Sequence, residues 1–185
     1  MKSKTIKSKK TKGLVIVYTG DGKGKTTAAL GMALRAAGHG MKTLIIQFIK
    51  SYKSYGELKF VKKYNCGIKI KTMGKGYVKI KGDVHPFEEH VKAAKKTLEF
   101  AQEQILSNKY DIIVLDEINI ALDKKLLTLK EVTDLIKQKP LDLHLILTGR
   151  GTLQKLIQLA DLVSEVKEIK HPFKFGIPAQ KGIEN

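Results

Sequence analysis

Tryptophan is absent from these 185 residues, cysteine occurs once, and arginine only as Arg35 and Arg150. A lone Cys66 cannot close an internal disulfide, and with five scattered histidines it offers no structural zinc site. A reducing, cytoplasmic setting is therefore expected. No apolar run approaches the roughly 20 residues of a membrane helix. The basic opening runs into the short apolar stretch Leu14–Tyr18 and then Gly20-Asp21-Gly22, without the pattern of a secretory leader. Aromatics are only 6% of the chain, which leaves little for a base-stacking groove.

Acid is also scarce. Thirty-five basic against 18 acidic residues give a net charge of +17. Nearly all of that charge is lysine, which cannot copy the bidentate reading of base edges by arginine. Six lysines and no acid fall in the first twelve residues. Residues 1–12 are expected to form a disordered lysine-rich tail, and 13–185 a single nucleotide-binding domain. The remaining lysines are spread along the chain, as on a solvated surface, and nucleic acid is not the expected partner.

What is present alternates between two periods. Gly13–Thr19 reads as a strand buried on both faces. Gly20–Gly24 is a glycine-rich turn, and Lys25–Ala37 an alanine- and leucine-rich helix ended by Gly38. Thr43–Ile49 is a second strand. Lys50–Gly82 reads as loops around a short strand near Gly67–Thr72. Pro86 opens a helix to about Ser107, with apolar residues at 87, 91, 94, 98, 101 and 105. Ile112–Leu115 is a strand ended by Asp116-Glu117. Thr128 and Glu131 have capping-box spacing and start a helix through Ile136. A strand at Leu143–Thr148, a helix near Leu153–Ala160 and a strand near Leu162–Ile169 follow, and the stretch from His171 onward is irregular. The expected fold is α/β: a P-loop NTPase-like (RecA-like), mainly parallel sheet flanked by helices.

Thr19-Gly20-Asp21-Gly22-Lys23-Gly24-Lys25-Thr26-Thr27 carries the chemistry. It matches the Walker A pattern at Gly24-Lys25-Thr26, although Thr19 stands where the first glycine is usual. Glycines let the backbone turn its N–H groups toward phosphate oxygens, and the following helix adds its positive end. Lys25 brings a full charge, and the Thr26 hydroxyl can ligate Mg²⁺. Asp116, at the end of an apolar strand, suits a Walker B acid; Glu117 can ligate metal, polarise water or bind ribose. Arg150, in Thr148-Gly149-Arg150-Gly151, lies at the ligand side of such a sheet. The loop predicts nucleotide binding but not the reaction. A small-molecule kinase, a nucleic-acid-stimulated ATPase and a non-catalytic ATP-binding regulator remain open at this point. The shortage of arginine weighs against the first, and the missing stacking groove against the second.

The chain also resembles the ATP:corrinoid adenosyltransferases of the cobalamin pathway. The resemblance rests on Gly20–Gly31, Gly38-His39-Gly40, Gln47-Phe48-Ile49-Lys50, Met73-Gly74-Lys75-Gly76 and Leu115-Asp116-Glu117. It continues through Thr148–Gly151, Leu159-Ala160-Asp161, Ser164-Glu165 and Ala179–Ile183. It implies that a Co(I) corrinoid attacks the 5′ carbon of ATP and that triphosphate leaves, in adenosylcobalamin biosynthesis or salvage. It assigns ATP binding to Gly20–Thr27 with Arg35 and Arg150, catalysis to Lys25 and Glu117, and Mg²⁺ to Thr26, Asp116 and Glu117. It suggests a homodimer, and the +17 surface suits an acidic flavoprotein reductase as a further partner.

Family members often carry a Phe and a Trp just after Met-Gly-x-Gly, facing the corrin. Here that stretch reads Tyr77-Val78-Lys79. Tyr77 and Lys79 are the expected corrinoid-side residues. Tyr77 can serve as an aromatic wall, Lys79 cannot replace an indole, and Phe87 or Tyr55 are candidates to compensate.

Overall fold

The computed structural model describes residues 12–51, 55–80 and 82–184. All but the last residue of the expected lysine-rich tail lies outside them.

Six strands form one parallel sheet: β1 Val15–Thr19, β2 Thr43–Gln47, β3 Ile68–Thr72, β4 Ile112–Asp116, β5 His144–Thr148 and β6 Leu162–Glu165. Their spatial order is β3-β2-β4-β5-β1-β6. Among the described residues six helices accompany them: α1 Lys25–Gly38, α2 Gly56–Lys63, α3 Phe87–Leu106, α4 Ile118–Asp123, α5 Leu129–Lys137 and α6 Gln154–Leu159. A 3₁₀ turn follows at Pro172–Phe175.

Strand side chains alternate between faces, so each strand feeds two cores. Val15, Val17, Leu44, Ile46, Ile113, Leu115, Leu145 and Leu147 pack with residues of α3, α4 and α5. Ile16, Ile45, Val114 and Ile146 point the other way, onto Ala29, Ala33 and Ala36 of α1. Those alanines recur at spacings of four and three, and their small size lets the helix lie close against the sheet.

The register builds the site. Gln47 pairs with Asp116 across β2 and β4, Leu115 with Leu147 across β4 and β5, and Tyr18 with Thr148 across β5 and β1. The carboxyl ends of four adjacent strands therefore stand in a row, the usual ligand side of an open parallel sheet.

Some expectations need correction. The region read as loops holds α2 at Gly56–Lys63, of which Leu58 alone is buried. α4, directly after Glu117, was not anticipated either. β6 stops at Glu165 instead of continuing toward Ile169, and all four of its residues are exposed along the sheet edge. The capping box on α5 is present as read: Glu131 N–H donates to Thr128 Oγ1, and the Glu131 carboxylate accepts from Thr128 N–H.

Candidate active site

The turn from β1 to α1 needs its glycines. Gly20 and Gly24 have φ of 93° and 118°, which disfavours any side chain. Gly22 has a different reason: its N–H donates to Val166 O at 2.8 Å. A Cβ there would lie 2.6 Å from Lys167 O. The segment after β6 thus supports the loop from behind. Lys25 Nζ donates to its own loop, to Gly20 O at 2.7 Å and Gly22 O at 2.5 Å. Burial, then the charge of Arg150, lowers its pKa from the ordinary lysine value. Lys23 Nζ pairs with Glu184 Oε1 at 2.8 Å.

Asp116, fully buried, is the hub beneath this loop. Its Oδ1 accepts from Thr26 Oγ1 and from Thr148 Oγ1, both at 2.8 Å. Its Oδ2 accepts from Gln47 Nε2 at 3.3 Å and faces Lys50 Nζ at 3.4 Å. Thr72 Oγ1 fixes the Gln47 amide by donating to its Oε1 at 2.8 Å. One carboxylate oxygen thus serves the loop side and the other the cation side.

Glu117 sits beside it in the left-handed region, φ 65°, a strained conformation for a residue with a side chain. Its N–H donates to Thr148 Oγ1 at 2.9 Å. Its buried Oε2 has no hydrogen-bond partner among the described residues. Burial, reinforced by the charge of Asp116, pushes the carboxyl up to about 7, against the pull of Lys50, Lys25 and Arg150. Lys50 is largely buried, which opposes its charge, but Asp116, Glu117 and Glu57 together raise its pKa.

Two cavities meet here. A smaller one, about 210 Å³, is lined by residues 22–27, Glu117, Ile120, Thr148, Gly149 and Arg150. A larger one, about 570 Å³, is walled by Ile49, Lys50, Tyr55, Tyr77, Val78 and Ile80 and shares Lys23, Glu117, Ile120 and Arg150 with the first. A polar, phosphate-sized pocket therefore opens beside a mixed apolar and cationic one, with Glu117 at the junction.

The expected site residues divide accordingly. Residues 22–27, Glu117 and Arg150 line the smaller cavity, and Asp116 lies just beneath Thr26. Gly20 acts through its carbonyl on Lys25, and Asp21 is exposed at the loop tip. Tyr77 lines the larger cavity. Two expectations need correction. Lys79 does not line that cavity: its Nζ lies 3.8 Å from the Phe87 ring centroid, so the cation covers an aromatic on α3. Arg35 is not at the loop: it sits ten residues beyond Lys25, about 15 Å along α1. There it borders a hollow with Ile16, His39, Ile112 and His144, at the opposite end of the strands. Lys50, Gln47 and Thr148 belong to the site without having been assigned roles. The β2–β4–β5 register that aligns them is a property of pairing, invisible in the linear sequence.

A parallel sheet with a glycine-rich loop between β1 and α1, and an acid at the end of the neighbouring-but-one strand, defines a P-loop nucleotide-binding protein. Solved structures agree. The KaiC-like protein PH0186 of Pyrococcus horikoshii OT3 has a TM-score of 0.56 at 19% identity, covering 86% of this chain and 75% of that one. The flagellar accessory protein FlaH of Methanocaldococcus jannaschii has a TM-score of 0.56 at 12% identity, covering 84% and 71%. At those identities the likeness is one of fold. Within that class the sequence is decisive: residues 11–185 match the family model described as ATP:corrinoid adenosyltransferase BtuR/CobO/CobP. A corrinoid adenosyltransferase of Sinorhizobium sp. is 41% identical over 175 residues, 94% of this chain and 80% of that protein. One of Escherichia coli K12 is 36% identical over 173 residues, 94% and 86%. The chain belongs to this family.

Proposed function

We propose that the protein transfers the 5′-deoxyadenosyl group of ATP to the Co(I) of a corrinoid, within adenosylcobalamin biosynthesis or salvage. The Co–C5′ bond forms with the electron pair of cobalt, the C5′–O5′ bond breaks, and triphosphate leaves with that bond's electrons. One observation carries this reading beyond simple nucleotide binding. The phosphate-sized pocket adjoins, sharing Glu117, Ile120 and Arg150 in its lining, a cavity of about 570 Å³ walled by Tyr55, Tyr77 and aliphatic side chains. A hydrolase needs no such second chamber, whereas a large, flat, partly apolar co-substrate does.

In this reading residues 13–185 act as one nucleotide-binding domain. The Gly20–Thr27 loop cradles the triphosphate through N–H groups other than that of Gly22, which Val166 O holds, and Arg150 adds charge from the facing loop. Lys25 exchanges two neutral carbonyl partners for phosphate oxygens, a stronger charge-assisted contact. Thr26, Asp116 and Glu117 would hold Mg²⁺. They fit it, being hard oxygen donors that include a buried carboxylate oxygen without a hydrogen-bond partner. When bound, Mg²⁺ supplies neutralisation of charge on the leaving triphosphate. Glu117, at the junction of the cavities, orients the ribose so that C5′ faces the second chamber. Lys25 and Glu117 are the catalytic pair. The corrinoid supplies the nucleophile, so positioning and charge are what the protein must contribute.

The same reading includes a second copy of the chain and a flavoprotein that delivers the electron for Co(I). A surface of net charge +17 favours an acidic partner for the latter. No described helix is long and apolar enough to cross a membrane, and the cytoplasm is the proposed setting. The test is anaerobic. Mg-ATP mixed with chemically reduced cob(I)alamin yields the light-sensitive spectrum of adenosylcobalamin. Appearance of ADP and phosphate with no change in the corrinoid spectrum would overturn the reading.

A further inference from the structure

The wall of the larger cavity that carries Tyr77, Val78 and Ile80 belongs to no helix or strand. It is a connection between β3 and α3, and it is held at both ends. At its start, Gly76 N–H donates to Ile49 O at 2.8 Å, and Met73 N–H to Gln47 O at 3.1 Å. Gly74 packs so tightly on Ile49 that a Cβ would lie 2.2 Å from that backbone. At its end stands Asp83. Asp83 Oδ2 accepts from Lys79 N–H at 2.8 Å, and Oδ1 accepts from His85 N–H at 3.1 Å. The same Oδ1 lies 2.9 Å from His90 Nε2.

His90 is the anchor on the far side. It belongs to the first turns of α3 and is 2% exposed, unusual for a histidine in an amphipathic helix. The His85 ring meets it edge-on at 5.8 Å. His85 in turn faces Glu89 Oε2 at 3.4 Å, and Lys75 Nζ lies 3.2 Å from that same oxygen. The hydrogen bond from His90, then those from the Lys79 and His85 backbones, hold the Asp83 carboxyl down to about 2. It therefore stays ionised at any working pH. The bond also has a local cost that must be offset: Lys79 sits at φ 54°, outside the region a lysine prefers.

From this geometry we infer that Asp83 and His90 form a latch that positions the Tyr77 wall for the corrinoid and does not act on ATP. Both are positioning residues; neither lines either cavity. The inference rests on the reading that the larger cavity takes the corrinoid. The wall's first stake lies on Ile49 and Gln47, beside the nucleotide-side hub. Its second lies on α3, which contributes nothing to the phosphate loop. Releasing the second stake should therefore loosen one substrate's wall and leave the other substrate's pocket intact.

The test compares Asp83→Asn, His90→Leu and His90→Gln with the unaltered protein. Glutamine keeps an N–H donor close to the place of histidine Nε2. KM is measured separately for cob(I)alamin and for Mg-ATP, with thermal melting alongside. The expected result is a corrinoid KM raised about 10-fold in Asp83→Asn and His90→Leu, the scale of losing a charge-assisted hydrogen bond. The ATP KM should stay within about twofold, and His90→Gln should restore most of the corrinoid KM. Corrinoid KM values unchanged in both disruptive variants would overturn the latch. So would equal rises in both KM values, which would mark a global structural role. An unaltered protein that forms no adenosylcobalamin would overturn the functional reading and the inference together, which keeps the two failures apart.

Discussion

Lys50 and Glu117 are largely buried opposites: neighbouring carboxylates more than offset the burial of the Lys50 charge, whereas the cations around Glu117 do not offset its own. Lys50 faces Asp116 at 3.4 Å and Glu57 at 3.7 Å, and both carboxylates of the hub draw on its charge. Lys50→Met leaves a fully buried Asp116 with only neutral donors. A stability loss of about 1–3 kcal/mol is expected, read as a lower urea midpoint. Glu117 behaves in the opposite sense. Its folded pKa, about 7, stands above the ordinary 4.5, so the folded state holds its proton more tightly. The resulting contribution to stability is complete below pH 4.5 and is lost as pH rises through 7. Glu117→Gln, which stays neutral, should therefore lose little stability between pH 5 and pH 8 where the ligand-free parent loses more. Denaturation at those two pH values checks it, and an identical pH slope in both proteins would contradict it. The same substitution should lower adenosyl transfer by about 100-fold or more, since preorganised charge is removed from the reacting centre. A residue that costs stability and supports chemistry is what a strained, buried, unpartnered carboxylate suggests.

At the scale of elements, the phosphate loop depends on the segment that follows β6. Gly22 is the contact, and Gly22→Ala would push a methyl group to 2.6 Å from Lys167 O. The loop must move away from the segment after β6, so weaker Mg-ATP binding is expected in a protein that still folds. Isothermal titration measures it, and unaltered affinity would show the loop to be free of that support. Elements also show where the sequence was legible. Short apolar runs such as the four residues Ile112–Leu115 marked buried parallel strands because both faces are covered. Thr128 and Glu131 marked a helix start because two side chains satisfy two backbone donors at fixed spacing. α2 was not legible: eight residues burying one leucine give no readable stripe. The over-long reading of β6 has a similar cause, since an edge strand ends where its single neighbour β1 ends, whatever its own composition. Lys79 was misplaced for a subtler reason. Position after a motif shows where the backbone passes, not which way a side chain at φ 54° turns.

For the whole molecule, the parallel sheet converts distant sequence positions into one site. Thr26, Gln47, Asp116 and Thr148 come from four segments and meet at one carboxylate. Their types were readable, but their convergence required the strand order β2-β4-β5-β1. The excess of lysine is not part of that site. Single-stranded DNA or RNA should therefore leave ATP turnover unchanged at physiological salt, and stimulation that falls steeply with salt would contradict this. In the proposed reaction ATP is cleaved at C5′ and not between phosphates. The most direct measurement follows ³¹P signals and the corrinoid spectrum together in one anaerobic reaction with Mg-ATP and cob(I)alamin. Adenosylcobalamin and intact triphosphate in equal amounts is the predicted result. ADP and orthophosphate, with cobalt left unalkylated, would contradict it.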